Sequence, residues 1–202
     1  MQHVSLQCPY LIFVGDEENE SFTKTARGIA QWRPELCVGQ LRLSATACDL
    51  GLPDTTISEA VKAGARSLII GTALVGGSLP TAWISTLSEA ARAGMDLVAG
   101  LHTQLSSLPE LVEATAQSGS SLIDVRKPPA GLPVGTGKKR QGKRLLTVGT
   151  DCALGKKYTA LQLEQDMRAA GHAANFRATG QTGIMICGSG IAVDAVIADF
   201  IS

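Results

Sequence analysis

Net charge is the first thing missing. Eighteen Lys and Arg balance eighteen Asp and Glu, so the chain is formally neutral at pH 7. The global electrostatic argument for a nucleic-acid partner falls with it. Long hydrophobic runs are missing too. Tyr10-Leu11-Ile12-Phe13-Val14 is apolar but far short of the ~20 residues a helical span needs, and no basic segment precedes it as in a signal peptide. No membrane partner is expected, and a cytoplasmic location follows by default. Cysteines number five, at 8, 37, 48, 152 and 187. The count is odd and no pair has CxxC spacing, which speaks against a disulfide framework or a Cys-based zinc site and for reduced thiols. A GxGxxG dinucleotide fingerprint is absent as well.

What is present is unevenly distributed. Residues 1–125 carry seven Lys and Arg against thirteen Asp and Glu, while residues 126–202 carry eleven against five. The two halves have opposite sign, and an anionic ligand suits the basic one. At 45% hydrophobic and 202 residues, the chain can bury one large core or two small ones.

The first 125 residues alternate apolar runs with helical patterns. Strands are expected at Tyr10–Val14, Cys37–Leu43, Ser67–Ile70, Met95–Ala99 and Ser121–Val125, with helices near 20–32, 55–64, 80–93 and 107–118. Trp83, Leu87, Ala90 and Ala91 recur on one helical face. Such alternation predicts an α/β layer on a mostly parallel sheet, whose ligands bind at the carboxyl ends of the strands. Those ends are Gly15-Asp16, Gly71 with Gly76-Gly77, and Gly100-Leu101-His102-Thr103.

Residues 127–143, a basic Pro/Gly-rich stretch, read as a linker between a domain at 1–126 and a second one at 144–202. Its charge run is either a solvated segment or a cover over a phosphorylated ligand. The second domain opens with Leu145-Leu146-Thr147-Val148-Gly149-Thr150-Asp151-Cys152-Ala153-Leu154-Gly155-Lys156-Lys157-Tyr158-Thr159. An apolar run, a glycine-bounded loop and a helical pattern in this order make a phosphate-binding loop. Backbone N–H groups at the turn and the helix start have no internal partners, the helix dipole adds positive charge, and a lysine neutralises phosphate oxygens. Lys156 is the expected phosphate lysine. The gap between Gly149 and Gly155 holds five residues rather than four, and Lys157 stands where a magnesium-holding Ser or Thr normally follows. Two adjacent ammonium groups suit a phosphate bound without metal, so no metal ligand is assigned. Thr159 offers a hydroxyl two positions late. Cys152 is either a thiol activated by its basic loop or a small loop residue.

The helix after the loop places Ala160, Leu163, Met167 and Ala170 on an apolar stripe and pairs Glu164 with Arg168 at i, i+4. A strand is expected over His172–Ala178, then a turn at Gly180-Gln181-Thr182-Gly183, a possible nest at Gly188-Ser189-Gly190 and a final helix from Val193. The sheet this implies has too few strands for a phosphate-loop domain, and an apolar stripe runs to the last residue. A chain cut inside its second domain is the expectation.

These segments carry a resemblance. Gly149–Thr159 resembles the phosphate loop of the D-glutamate N-acetyltransferase family, and Phe176–Gly183 and Gly190–Phe200 resemble the family's next two segments. Cys37-Val38-Gly39-Gln40-Leu41-Arg42 and Gly100-Leu101-His102-Thr103 are similar to segments of its first domain. The loop is also similar to that of dethiobiotin synthetase, with the same Gly-Thr-Asp opening, but a Thr follows the Gly-Lys there. The resemblance implies a Rossmann-like parallel-sheet domain followed by an incomplete P-loop NTPase-like α/β domain. It also implies acetyl transfer from acetyl-CoA to the amino group of D-glutamate, in a D-amino-acid catabolic route, by a homo-oligomer when full-length.

On that reading Gly149, Thr150, Asp151, Cys152, Gly155, Lys156, Lys157, Tyr158 and Thr159 form the coenzyme site. His102 is the candidate general base. Arg42 or Arg177 pairs a substrate carboxylate, and Gln181, Thr182 and Asp194 contact the small-molecule substrate. The alternatives are an ATP-dependent kinase or ligase using Mg²⁺, and a nucleotide-binding module without catalysis.

Overall fold

The computed structural model of the chain describes residues 4–74, 78–129, 137–139, 141–151 and 154–193. In chain order the elements are β1 (Val4–Ser5), β2 (Tyr10–Gly15), α1 (Lys24–Trp32), β3 (Cys37–Arg42), α2 (Ile57–Lys62), β4 (Ser67–Ile70), α3 (Thr81–Arg92), β5 (Asp96–Ala99), α4 (Pro109–Ser118), β6 (Leu122–Asp124), α5 (Lys156–Ala169), α6 (Gln181–Cys187) and β7 (Ser189–Gly190). The five strands expected in the first 125 residues are all present, each within a residue or two of its expected ends.

They form one parallel sheet in the order β3-β2-β4-β5-β6. Leu11 lies opposite Leu68, and Phe13 opposite Ile70. β2 is buried from end to end because both faces of the sheet are covered, as in other parallel sheets. The period of two divides its side chains. Leu11 and Phe13 join Leu68, Ile70, Leu97 and the helices α2, α3 and α4 on one face. There the Trp83 ring meets the Phe13 ring edge-on at 5.0 Å, and the indole N–H donates to Asp16 Oδ1 at 2.8 Å.

Tyr10 and Ile12 point the other way, toward Ala26 and Ile29 of α1. The rest of that layer comes from beyond the linker: Leu161, Ala178, Ile184, Met185 and Ile186 are buried in the same cluster. β7 also pairs antiparallel with β1 near the N-terminus. The two halves of the chain therefore share one core.

Several expectations for residues 144–193 are corrected. Leu145, Leu146 and Val148 are 63%, 82% and 80% exposed rather than in a buried strand. A strand needs a hydrogen-bonded neighbour, and none pairs with this run among the described residues. Residues 172–177 likewise form no strand, and Ala178 makes a lone bridge to Gly190. The expected turn at 180–183 is the start of α6, and Ile184-Met185-Ile186 continues that helix. The expected nest at 188–190 is the end of α6 followed by β7. On α5 the expected stripe is at most half-buried, while Leu161 and Glu164 are the buried positions. The final helix lies outside the described residues, apart from Val193.

Burial of Glu164 follows from its partners. It is 7% exposed, pairs with Arg33 at 2.8 Å across the core and with Arg168 at 2.9 Å, and accepts the Phe176 N–H at 2.9 Å. The i, i+4 pair with Arg168 is as expected from sequence. A carboxylate leaves water at tolerable cost only when its lone pairs are filled in this way. Gly28 permits the neighbouring contact: a Cβ there would sit 3.0 Å from the Tyr158 hydroxyl and 3.2 Å from Ile186 Cδ1.

Glu164→Ala is expected to cost about 2–4 kcal/mol of stability, because it strands the Arg33 guanidinium in the interface. Urea unfolding of Glu164→Ala, Arg33→Ala and the double variant measures this. Strictly additive losses would show that the pair contributes nothing.

Candidate functional sites

The described residues form two candidate sites, a loop at the start of α5 and a cleft at the strand ends. The first is the glycine-bounded loop. Gly155 stands before α5 with φ of 87°, in the left-handed region open to glycine, and α5 begins at Lys156 with no side chain among the described residues capping it. The N–H groups of its first turn thus face outward, as anion binding requires. The Lys156 ammonium donates to the Asp151 carbonyl. Thr147 Oγ1 donates to the Lys156 carbonyl at 3.1 Å. Gly149 and Thr150 lie beside it, and Thr150 is exposed. Cys152 lies outside the described residues. Thr159 Oγ1 donates back to the Gly155 carbonyl at 3.3 Å, so its hydroxyl closes the first helical turn.

Lys157 behaves differently from Lys156. Its ammonium stands 4.3 Å from the centre of the Tyr158 ring. Burial, which disfavours the charged form, pulls its pKa down to about 8. Tyr158 in turn stacks on Trp32 of α1, centroids 6.0 Å apart and planes 13° from parallel. Burial raises the Tyr158 phenol above its ordinary range. Tyr158 thus anchors the loop's helix to the sheet layer.

The second group sits at the carboxyl ends of the parallel strands. β2 is flanked by β3 and β4, so the crossover direction reverses between the first and third strands of the sheet. Ligands of open α/β sheets bind at such a switch point. A cleft opens there, lined by Thr25 of α1, Thr72 and Ala73 after β4, Gly100 after β5, and Gln181 and Met185 of α6. Thr25 Oγ1 and Thr182 Oγ1 share a hydrogen bond of 3.2 Å, and Arg126 donates to Gln181 Oε1 at 3.5 Å. The structure therefore brings Gln181 and Thr182 together at the strand ends.

The remaining sequence-derived candidates are scattered. His102 is exposed, two residues past Gly100. Arg42 is engaged with Asp54, donating from Nε at 2.7 Å and from Nη2, and Nη1 donates to the Ala47 carbonyl at 3.1 Å. That hydrogen-bonded pairing lowers the Asp54 pKa and raises that of Arg42. The fork assigned to a substrate carboxylate is filled by one of the chain's own. Arg177 is exposed, and Asp194 lies outside the described residues. Thr25, Thr72 and Arg126 escaped the sequence reading. Their strand-end and helix-start positions were visible, but nothing in the sequence said that β4 lies beside β2 or that α6 closes the cleft.

A parallel α/β sheet of Rossmann-like type, followed by a glycine-led loop and helix, defines a two-part α/β protein of Rossmann-like and P-loop type. Two family profiles match it in tandem: the Rossmann-like domain of unknown function DUF1611_N over residues 39–128 and the P-loop domain of DUF1611 over residues 133–202. The chain belongs to the DUF1611 family. It is 46% identical over 199 residues to a D-glutamate N-acetyltransferase of Pseudoalteromonas sp, covering 98% of this chain and 60% of that protein. A D-glutamate N-acetyltransferase of Tritonibacter scottomollicae is also 46% identical, over 197 residues, with 98% and 59% covered. The crystal structure of a DUF1611 family protein from Anabaena variabilis superposes with a TM-score of 0.75 at 33% identity, covering 96% of this chain and 59% of that one. The chain thus spans about 60% of the length of the curated relatives it matches.

Phosphate binding that uses the Lys157 ammonium is expected to depend on pH. With the Lys157 pKa pulled down to about 8, any affinity for a phosphate-ester probe such as adenosine 3′,5′-bisphosphate should be flat just below that pH. It should fall as the lysine loses its proton above it, by up to about tenfold per pH unit. Isothermal titrations at pH 7 and 9 on the wild type and Lys157→Met check this. An unchanged pH dependence in the variant would rule Lys157 out as a phosphate contact.

Proposed function

We propose that the protein acts in acetyl transfer from acetyl-CoA to the amino group of D-glutamate, within D-amino-acid catabolism, with the Gly149–Thr159 loop holding coenzyme phosphates. One observation carries most of the reading: α5 starts at Lys156 behind an uncapped, glycine-led turn, with a second lysine in place of the metal-holding hydroxyl. Coenzyme A carries a 3′-phosphate and a pyrophosphate, anions that such a turn can hold by N–H groups and ammonium charge. The names of the two relatives at 46% identity support the same reaction.

The donor supplies a thioester-activated acetyl group. The chain's part is positioning, charge compensation and proton transfer. Lys156 and the first-turn N–H groups of α5 fix the phosphates, which places the far end of the coenzyme at a set distance from the sheet. The acceptor amine must shed a proton before its nitrogen bonds to the acetyl carbon and the carbon–sulfur bond breaks. His102, exposed at the end of the β5 segment, is suited to take that proton. The runner-up, a Mg²⁺-dependent ATP enzyme, is disfavoured by Lys157. Thr159 does not compensate, because its hydroxyl is turned back onto the Gly155 carbonyl.

Calorimetric titration with acetyl-CoA and with ATP, each with and without Mg²⁺, separates these readings. Acetyl-CoA should bind without metal, and Lys156→Ala should weaken it about 10- to 100-fold, as loss of a charge-assisted phosphate contact implies. Heat from ATP only with Mg²⁺, and none from acetyl-CoA, would reject acetyl transfer. In a thiol-release assay on the full-length protein with D-glutamate, His102→Asn is expected to lower kcat by about 10²-fold or more with coenzyme affinity unchanged. A variant as active as wild type removes His102 from the role of base.

A further inference from the structure

Three buried polar side-chain atoms lack a hydrogen-bond partner among the described residues: Trp32 Nε1, Thr72 Oγ1 and Ser88 Oγ. Of these residues, only Thr72 lines the cleft at the switch point. It is 4% exposed. A buried hydroxyl without a partner costs stability, and a Val would fill the same volume without that cost. A threonine that keeps such an orphan at the wall of a cleft is poised for a ligand.

Three further features say which ligand. The cleft's interior measures about 30 Å³, room for roughly two or three water-sized groups. That is room for a carboxylate. α1 is nine residues long and Thr25, in its first turn, lines the cleft, while no side chain caps the helix. The Ala26 N–H of the same turn donates to the Gly71 carbonyl at 3.1 Å, which fixes the start of α1 beside the end of β4. The Thr25 hydroxyl and the Gln181 side chain line the same space, with Thr182 Oγ1 bonded to Thr25 and Arg126 donating to Gln181 Oε1 behind them. Hydroxyl and amide groups converge on a pocket of carboxylate size.

We propose that this cleft seats a carboxylate of the acceptor amino acid, with Thr72 Oγ1 donating to it. The assignment of that carboxylate to an acetyl acceptor rests on the function proposed above. It divides the labour within the molecule: the α5 loop takes the donor's phosphates and the strand-end cleft takes the acceptor. Gly100 lines the cleft, so the segment carrying His102 leaves from its wall.

The test separates the cleft from the reaction. D-Glutamate binding to the wild type, Thr72→Val and Thr72→Ser is measured directly by NMR titration, and acetyl transfer is measured separately by thiol release. Thr72→Val should weaken D-glutamate at least tenfold and leave acetyl-CoA affinity alone, while Thr72→Ser, which keeps the hydroxyl, should restore most of the loss. Without ligand, Thr72→Val should raise the thermal midpoint by about 2–4 °C, since an unpaired buried hydroxyl is gone. D-Glutamate affinity within twofold of wild type in Thr72→Val would overturn the cleft assignment even if D-glutamate is acetylated. Absence of any D-glutamate binding to the wild type would overturn it too. Hydroxyl-dependent D-glutamate binding with no acetyl transfer would uphold the cleft and reject the reaction.

Discussion

A parallel sheet with two apolar faces must be covered twice. That requirement governs this structure. On one face α2, α3 and α4 come from the first 125 residues and close over Leu11, Phe13, Leu68 and Ile70. On the other, α1 is the one α-helix that the described residues of that part provide. Tyr10, Ile12, Ile69 and Val98 would otherwise meet water, at roughly 1.5–3 kcal/mol for each large apolar side chain left exposed. Ile184, Met185 and Ile186 of α6, with Leu161 of α5, complete the layer. The part of the chain that carries the phosphate loop is thus also part of the first sheet's hydrophobic cover.

That shared core explains the polar contacts buried within it. Glu164 links α5 to Arg33 beyond the end of α1 and to the backbone of Phe176, so the helix, the sheet layer and the segment leading to α6 are fastened at one point. The stack of Tyr158 on Trp32 lies nearly two turns nearer the loop. A lysine that follows the phosphate lysine is drawn by the same packing over the Tyr158 ring and loses part of its hydration. Its lowered pKa is a direct consequence of how α5 docks. The loop at the start of α5 and the cleft beside the start of α1 are held in fixed relation because both depend on this one contact between helices.

The sequence made the first sheet legible because periodicity and strand-end glycines are local signals. β2, β4 and β5 are short apolar runs bounded by turns, and each lies where those signals put it. The same signals misled beyond the linker. Leu145–Val148 has the pattern of a buried strand, but a strand forms only beside another strand, and the pattern does not supply one. On α5 the stripe of Ala160, Leu163, Met167 and Ala170 outscored the face that is buried, because Glu164 counts as polar until Arg33 is brought against it. Gln181 and Thr182 looked like a turn because six apolar or small residues are too few to distinguish a short helix from a loop by periodicity.

The amino-acid sequence alone determined the α/β alternation, the glycine-led loop with its two lysines, and the family to which the chain is similar. Each depends on neighbours within a few positions, where backbone geometry and side-chain period act directly. The tertiary structure decided which strand ends meet, which helix face is buried, and where the unpaired Thr72 hydroxyl stands. Those depend on residues far apart in the chain: β2 with β4, Arg33 with Glu164, Thr25 with Thr182. Their meeting is driven by the removal of apolar surface from water, a force without direction or sequence range, so only the folded arrangement discloses it.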